Sequence, residues 1–153
     1  MTTQNVINRQ GPTPVASIIL TGNQVVSTAS ETVLQFNVAS INNGSAFNTG
    51  TYQFLPTTIV PSYYYACLCC EFVDAVATYT VIAAIRLNGT DDCTNTTIGT
   101  YVGGTRTVLA AGNFTLNGST DYLDFTFFQN SGGNITLTGG ARINTRVDIF
   151  RIA

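Results

Sequence analysis

Tyr63-Tyr64-Tyr65-Ala66-Cys67-Leu68-Cys69-Cys70, or YYYACLCC, sets three tyrosines against three of the chain's four cysteines. Such a run reads as a metal site, a disulfide staple, a redox centre or the inside of a β-strand. The choice decides whether the protein performs chemistry or holds things together. In a strand from Tyr63 to Phe72 the side chains alternate between faces, so Cys67 and Cys69 share one face with Cβ atoms roughly 6.8 Å apart and Cys70 points to the other. A disulfide needs Cβ atoms about 3.8 Å apart. The spacing therefore rules against a Cys67 to Cys69 bridge, and Cys69 to Cys70 would need a distorted peptide. Zinc needs at least three converging ligands. The chain has no His, so only the distant Cys93 and a carboxylate could complete a site. The run reads as a strand whose free thiols serve as small buried hydrophobes. Tyr63, Tyr64 and Tyr65 cannot all face one core, so at least one face offers phenols to something else, such as a neighbouring subunit, where Tyr is enriched.

Outward from this run the period stays at two. Ile18 to Leu20, Val25-Val26, Val33 to Val38, Tyr52 to Phe54, Ala77 to Leu87, Thr107 to Ala110, Asn113 to Leu116, Tyr122 to Gln129, Ile135 to Leu137 and Arg142 to Ile152 are short stretches rich in β-branched and aromatic residues. Turn residues separate them: Thr21-Gly22-Asn23, Asn42-Asn43-Gly44, Asn88-Gly89-Thr90, Gly103-Gly104, Asn117-Gly118, Ser131-Gly132-Gly133 and Gly139-Gly140. The best helix candidate, Phe72 to Ala84, is rich in Ala but holds six β-branched residues and no capping box, so it too reads as strand. The pattern predicts an all-β fold over residues 17–153, a sandwich or jelly roll of roughly ten strands. Residues 1–16 are polar, carry Gly11, Pro12 and Pro14, and read as an extended N-terminal arm.

At 153 residues the chain is the size of one domain and can bury about two-thirds of the surface it exposes when unfolded. Only 9% of it is charged, with six Arg, no Lys and a net charge of -2. Nucleic-acid binding depends on several basic groups neutralising phosphates, and these six Arg are scattered, so no such partner is expected. A surface of Thr, Asn, Ser and Gly suits tight packing against protein neighbours, because burying amides and hydroxyls costs far less than burying ions. That predicts an oligomer or a component of an assembly. Met1 to Pro14 has no basic region followed by an apolar run, so no signal peptide is read there, and nothing later is apolar for long enough to span a membrane. Synthesis in a cytosol with reduced thiols is the expectation.

Catalysis finds little footing. A Ser-His-Asp or Cys-His set needs an imidazole, and there is none. Asp91-Asp92 and the pair Asp121 and Asp124 are the acidic candidates for acid–base work or for holding calcium. Asp91-Asp92 follows Asn88-Gly89-Thr90 and reads as a solvated turn. Gly103-Gly104 and Gly139-Gly140 lack the helix and the Lys of a phosphate loop and read as turns. Asn43, Asn88, Asn95, Asn113, Asn117 and Asn134 stand in Asn-x-Ser/Thr triplets, which chance supplies in a chain this rich in Asn and Thr. No catalytic residue, metal or cofactor is expected.

Phe36-Asn37-Val38, Asn43-Gly44, Phe47-Asn48, Thr49-Gly50-Thr51-Tyr52, Val60-Pro61-Ser62-Tyr63-Tyr64-Tyr65 and Ile85-Arg86-Leu87-Asn88-Gly89 follow one another in an order that resembles the globular head of the complement component 1q and tumour necrosis factor superfamily. Thr120-Asp121-Tyr122-Leu123 is similar to that family's Gly-Asp-Tyr-Val strand start, and Arg142 to Ile152 resembles its closing strand. The likeness covers residues 24–153, with Ser62 and Thr120 where the family carries Gly and Ala66 where it carries an aromatic. It implies a ten-stranded antiparallel jelly-roll sandwich that forms a homotrimer around a three-fold axis, with an interface drawn from Tyr63, Tyr64, Tyr65, Phe72, Phe125 and Phe127.

Such heads occur behind a signal peptide and a collagen-like stalk in secreted animal proteins, and as fibre knobs and capsid decorations on phage and other viral particles. With neither signal nor stalk read here, the resemblance implies a virion structural protein, a trimeric decoration or cement protein on a capsid surface. Its arm would anchor to capsid or other virion proteins through Asn5, Val6, Ile7 and Arg9. The alternatives are a fibre head or secreted recognition head that binds a host receptor or glycan through an apical loop at Asn88 to Thr100.

Overall fold

A computed structural model of the chain describes residues 12–57, 61–74, 79–99, 104–140 and 144–152. In chain order the strands are β1 (Thr13–Ile19), β2 (Gln24–Val26), β3 (Ser30–Val33), β4 (Val38–Asn42), β5 (Phe47–Asn48), β6 (Gln53–Phe54), β7 (Ser62–Asp74), β8 (Tyr79–Leu87), β9 (Thr90–Gly99), β10 (Gly104–Leu116), β11 (Leu123–Gln129), β12 (Ile135–Leu137) and β13 (Arg146–Arg151). Among the described residues the only helical geometry is one 3₁₀ turn, Asn43–Ser45, where Gly44 takes φ 68°. The chain is all-β and its strand pairings are antiparallel.

The topology grows from one turn. Asn88 and Gly89 both take positive φ, 54° and 78°, which is what a two-residue type I′ hairpin turn requires and what Asn-Gly supplies at least steric expense. Around it β8 pairs with β9 from Leu87 opposite Thr90 to Tyr79 opposite Gly99. The next strands out, β7 and β10, pair from Asp74 opposite Gly104 to Ser62 opposite Leu116. Equal spans, 75–78 and 100–103, link the two pairings, so the register of the hairpin carries on into the second sheet. Outside these lie β6 and β3 against β11, and outermost β1 against β13. The inner three pairings alternate between two sheets, and the outer two, β2 with β12 and β1 with β13, both lie in the larger. The larger sheet runs β2-β12-β7-β13-β1-β4 with β10 on the other edge of β7, and the smaller runs β5-β6-β11-β8-β9 with β3 also beside β11.

The sheets face each other across a single apolar core, as in a β-sandwich. In β7 the even residues Tyr64, Ala66, Leu68, Cys70 and Phe72 are buried, and the odd ones point outward, as a period of two dictates. Four aromatic pairs meet edge to face inside: Phe36 with Phe125 (5.9 Å), Phe54 with Tyr64 (5.5 Å), Phe72 with Phe127 (5.5 Å) and Phe72 with Tyr79 (6.4 Å). All four join a larger-sheet or connecting segment to the smaller sheet, so they clamp the layers together at about 0.5–1.5 kcal/mol each beyond area burial. The fully buried Gln129 is satisfied at both ends of its amide: Nε2 donates to Val26 O (3.0 Å) and Gly133 O (2.8 Å), and Oε1 accepts from Ser131 N (2.7 Å). Gly139 passes so close to the backbone of Gly22 that any Cβ there would overlap it.

Several expectations are corrected. Tyr64, Phe72, Phe125 and Phe127 are not interface residues: each is at most 1% exposed in the single chain, because each sits on the inward parity of its strand. The sheet begins at Thr13, inside the span 1–16 assigned to the arm, and Thr13 to Ile19 pair with both β13 and β4. Asn5, Val6, Ile7 and Arg9 lie outside the described residues. The expected apical loop at Asn88 to Thr100 is instead the tight hairpin with β9, which puts the backbone of Asp91 and Asp92 in a strand. The stretches Thr107 to Ala110 and Asn113 to Leu116 belong to one continuous strand, β10. Val33 to Val38 is not one strand: β3 ends at Val33 and β4 starts at Val38, and between them the side chain of Gln24 takes over the ladder's role, its Oε1 accepting from Gln35 N (3.0 Å) and its Nε2 donating to Val33 O (2.9 Å).

Candidate functional site: the outer face of the larger sheet

The pairing registers assemble the outer face of the larger sheet in rows. Across β1, β13, β7 and β10 run Pro14, Phe150, Tyr65 and Asn113; then Ser17, Asp148, Cys67 and Ala111; then Ile19, Arg146, Cys69 and Leu109. Among the described residues eight large hydrophobic side chains remain exposed, and they are distributed unequally. Val25, Val38, Tyr63, Tyr65, Val73, Leu109 and Ile152 all lie on this face, and Val33 alone lies on the smaller sheet. At one end Pro12, Tyr65, Phe150 and Ile152 line an open, wholly apolar hollow of about 330 Å³. Tyr63 is the most exposed of the tyrosines at 57%.

Polar side chains are interspersed on this face, among them the exposed Thr105, Thr107, Asn113 and Thr115 of β10, and the charged ones are locally paired. Asp148 accepts from the Ser17 hydroxyl (2.7 Å) and from Arg146 Nε (3.1 Å). A row further on, Glu71 accepts from the Thr138 hydroxyl (2.9 Å). Cys67 and Cys69 stand between these charges. Burial raises both thiols above their ordinary value; the Asp148 carboxylate adds to this at Cys67, and the Arg146 guanidinium opposes it at both. Cys70, on the inner side, is raised further by complete burial. All four cysteines are free. Cys67, Cys69 and Cys70 are poor nucleophiles in this setting, since the thiolate is the reactive species.

The smaller sheet's outer face is built the opposite way. Arg86 grips Asp124 through Nε and Nη2, both at 2.7 Å, and reaches Glu31 with Nη1 at 3.1 Å. The Thr126 hydroxyl donates to the other Glu31 oxygen (2.8 Å). This bidentate clamp is nearly buried, with side-chain exposures of 15% for Arg86 and 9% for Asp124.

The structure separates the two acidic residues read as a pair. Asp124 belongs to that clamp, and Asp121 accepts from Asn88 Nδ2 (2.9 Å) and Asn117 N (2.9 Å), tying the hairpin turn to the next loop. Each has a structural task and they share no pocket. Cys93 donates its thiol proton to Ala111 O (2.6 Å) across the seam where β9 lies against β10, and a Cβ at Gly112 would stand 3.0 Å from its sulfur. Gly112 thus lets the two edges close. Among the described residues no group of three or more Cys, Asp or Glu converges as metal ligands, and no helix is long and apolar enough to cross a membrane.

Of the residues expected at an interface, Tyr63 and Tyr65 are on the exposed face and the other four are not. Sequence reasoning missed Leu109, Phe150, Ile152, Arg146 and Asp148. The signal was present in Arg146-Val147-Asp148-Ile149-Phe150, whose alternation puts Val147 and Ile149 inside and the remaining three outside. No protein-family model matches the sequence, and no curated protein does.

Proposed function

We propose that this chain is a structural protein that works by assembling, a jelly-roll subunit of a homotrimer of the kind that decorates or cements a viral capsid. The nested pairing of β8 with β9, β7 with β10, β6 and β3 with β11 and β1 with β13, the inner three alternating between sheets, supports the jelly roll. One observation carries the assembly reading: among the described residues, seven of eight exposed large hydrophobics fall on the outer face of one sheet. Contiguous exposed apolar surface marks an interaction site rather than a finished exterior. A trimer that turns this sheet toward its axis would cover Tyr63, Tyr65, Leu109 and the hollow beside Phe150. The virion setting rests on the resemblance to capsid-decorating heads and on the low charge of the chain. In this reading the protein acts passively, with no catalytic group.

Sedimentation equilibrium at micromolar concentration tests the assembly, with one species of three 16.3 kDa chains expected. A monomer across that range would remove the proposal. The capsid role is tested by location: labelled chain should band with particles in a density gradient, and a chain that stays wholly in the soluble fraction would leave the trimer without that role.

A further inference from the structure

The larger sheet ends at β2, which pairs with β12 on one side and, among the described strands, with none on the other. Beside that edge an open hollow of about 440 Å³ lies between the β1–β2 link and the β3–β4 link. Pockets that hold small ligands occupy roughly 300–1,000 Å³. Asn23, Gln24, Gln35 and Asn37 line it, together with Thr32 and the exposed Val25, and among the described residues none that line it is charged. Three of its carboxamides are held in place by the fold. Gln24 bridges Val33 O and Gln35 N. Asn37 Oδ1 accepts from Thr21 N (3.0 Å) and from the Thr21 hydroxyl (3.1 Å), and its Nδ2 donates to that hydroxyl (2.8 Å). Asn23 Oδ1 accepts from Gly139 N (3.0 Å). A carboxamide nitrogen carries two donors. These bonds spend one at Gln24, one at Asn37 and none at Asn23, so the oxygens are committed to the fold while N–H groups are left over.

We propose that this hollow binds a neutral saccharide, whose oxygens accept from the spare N–H groups of Asn23, Gln24 and Asn37 and whose hydroxyls donate to Gln35 Oε1. The lining selects that class by what it offers. A carboxylate or phosphate would lose its water here with no opposite charge to replace it, which is costly. An apolar ligand would cover the amide donors and leave them unsatisfied. A sugar ring meets both demands, since each hydroxyl accepts as well as donates and the C–H groups of the ring can lie on Val25. Because the fold already fixes three of the carboxamides, binding does not have to order them. The hollow is open, so affinity for a single ring is of millimolar order. The site does not depend on the assembly proposed above.

The side-chain amide signals of the isotope-labelled full chain read this out by NMR. Methyl glucoside, methyl galactoside, methyl mannoside and N-acetylglucosamine are titrated separately. At least one should shift the Asn23 and Gln35 amide signals saturably at millimolar concentration, with those of Asn88 and Asn117 unmoved. Asn23→Asp keeps the oxygen that accepts from Gly139 N and removes both donors, so it should weaken binding at least about tenfold while the chain stays folded. Gln35→Ala, whose lost side chain enters none of the bonds above, should weaken it severalfold and serves alone if Asn23→Asp does not fold. The proposal is overturned if no sugar of the set moves the Asn23 and Gln35 signals, or if the shifts survive both substitutions undiminished. Sodium sulfate moving the same signals as strongly as the sugars would overturn the assignment to a neutral ligand.

Discussion

The outer faces of the two sheets solve the same problem in different ways. On the smaller sheet Arg86, Asp124, Glu31 and Thr126 satisfy one another through four contacts of 2.7 to 3.1 Å, and among the described residues the one large exposed hydrophobic there is Val33. That face is finished as it stands in water. On the larger sheet a single Arg146 to Asp148 contact sits amid exposed Tyr, Leu, Val and Ile. The same backbone architecture therefore carries one face whose polar groups are closed upon themselves and one whose apolar groups have no cover within the chain. Where a protein keeps its hydrophobic side chains exposed on one layer only, that layer is where a partner belongs.

The contrast can be broken most forcibly at the clamp. Asp124→Ala should cost about 3 kcal/mol of stability, because it takes from the nearly buried Arg86 its bidentate carboxylate partner. Chemical denaturation measures it, and association per folded chain should not change. On the other face, Leu109→Glu should weaken association by about 2 kcal/mol, ~30-fold, with little loss of folding stability, since Leu109 is 49% exposed in the single chain. Val33→Glu, the matching change on the smaller sheet, should leave sedimentation unaltered.

A smaller effect distinguishes the two sides of β7. The Cys70 thiol is held well above its ordinary value of 9.0 by burial, with a lesser push from Cys69. A raised value in the folded state means that the folded chain keeps this proton where the unfolded chain loses it. The stability so contributed is intact below pH 9.0 and is lost as pH climbs from there toward the folded value. Denaturation midpoints should fall on the alkaline side, and Cys70→Ala should flatten that fall. At neutral pH a thiol reagent should modify the half-buried Cys67 well before Cys70.

How far the sequence could be read follows from where each signal competes. Tyr63 to Phe72 was legible as a strand because its run of tyrosines and cysteines fits a half-buried pleated surface and holds no Gly or Pro, and Asn88-Gly89 was legible as a turn because few other dipeptides accept two positive φ values. β9 escaped notice. It lies at the edge of its sheet, and Thr90-Asp91-Asp92-Cys93-Thr94-Asn95 has no apolar alternation to betray it, as befits a strand that guards an edge. Phe72, Phe125 and Phe127 were misassigned for a different reason. An aromatic destined for the core and one destined for an interface look alike in a sequence, and only the parity fixed by pairing tells them apart. Arg146 and Asp148 were passed over because they count only through the face they sit on, where the fold brings Ser17, Cys67 and Ala111 beside them from three other strands.

The central claim is that the larger sheet's outer face, and not the smaller sheet's, is the one covered when chains meet. Hydroxyl-radical footprinting at two protein concentrations reads this directly. Oxidation of Tyr63, Tyr65 and Phe150 should drop severalfold on going from dilute to concentrated protein, with Phe128 on the smaller sheet unchanged. Protection of Phe128 instead, or equal oxidation of all four at both concentrations, would contradict it.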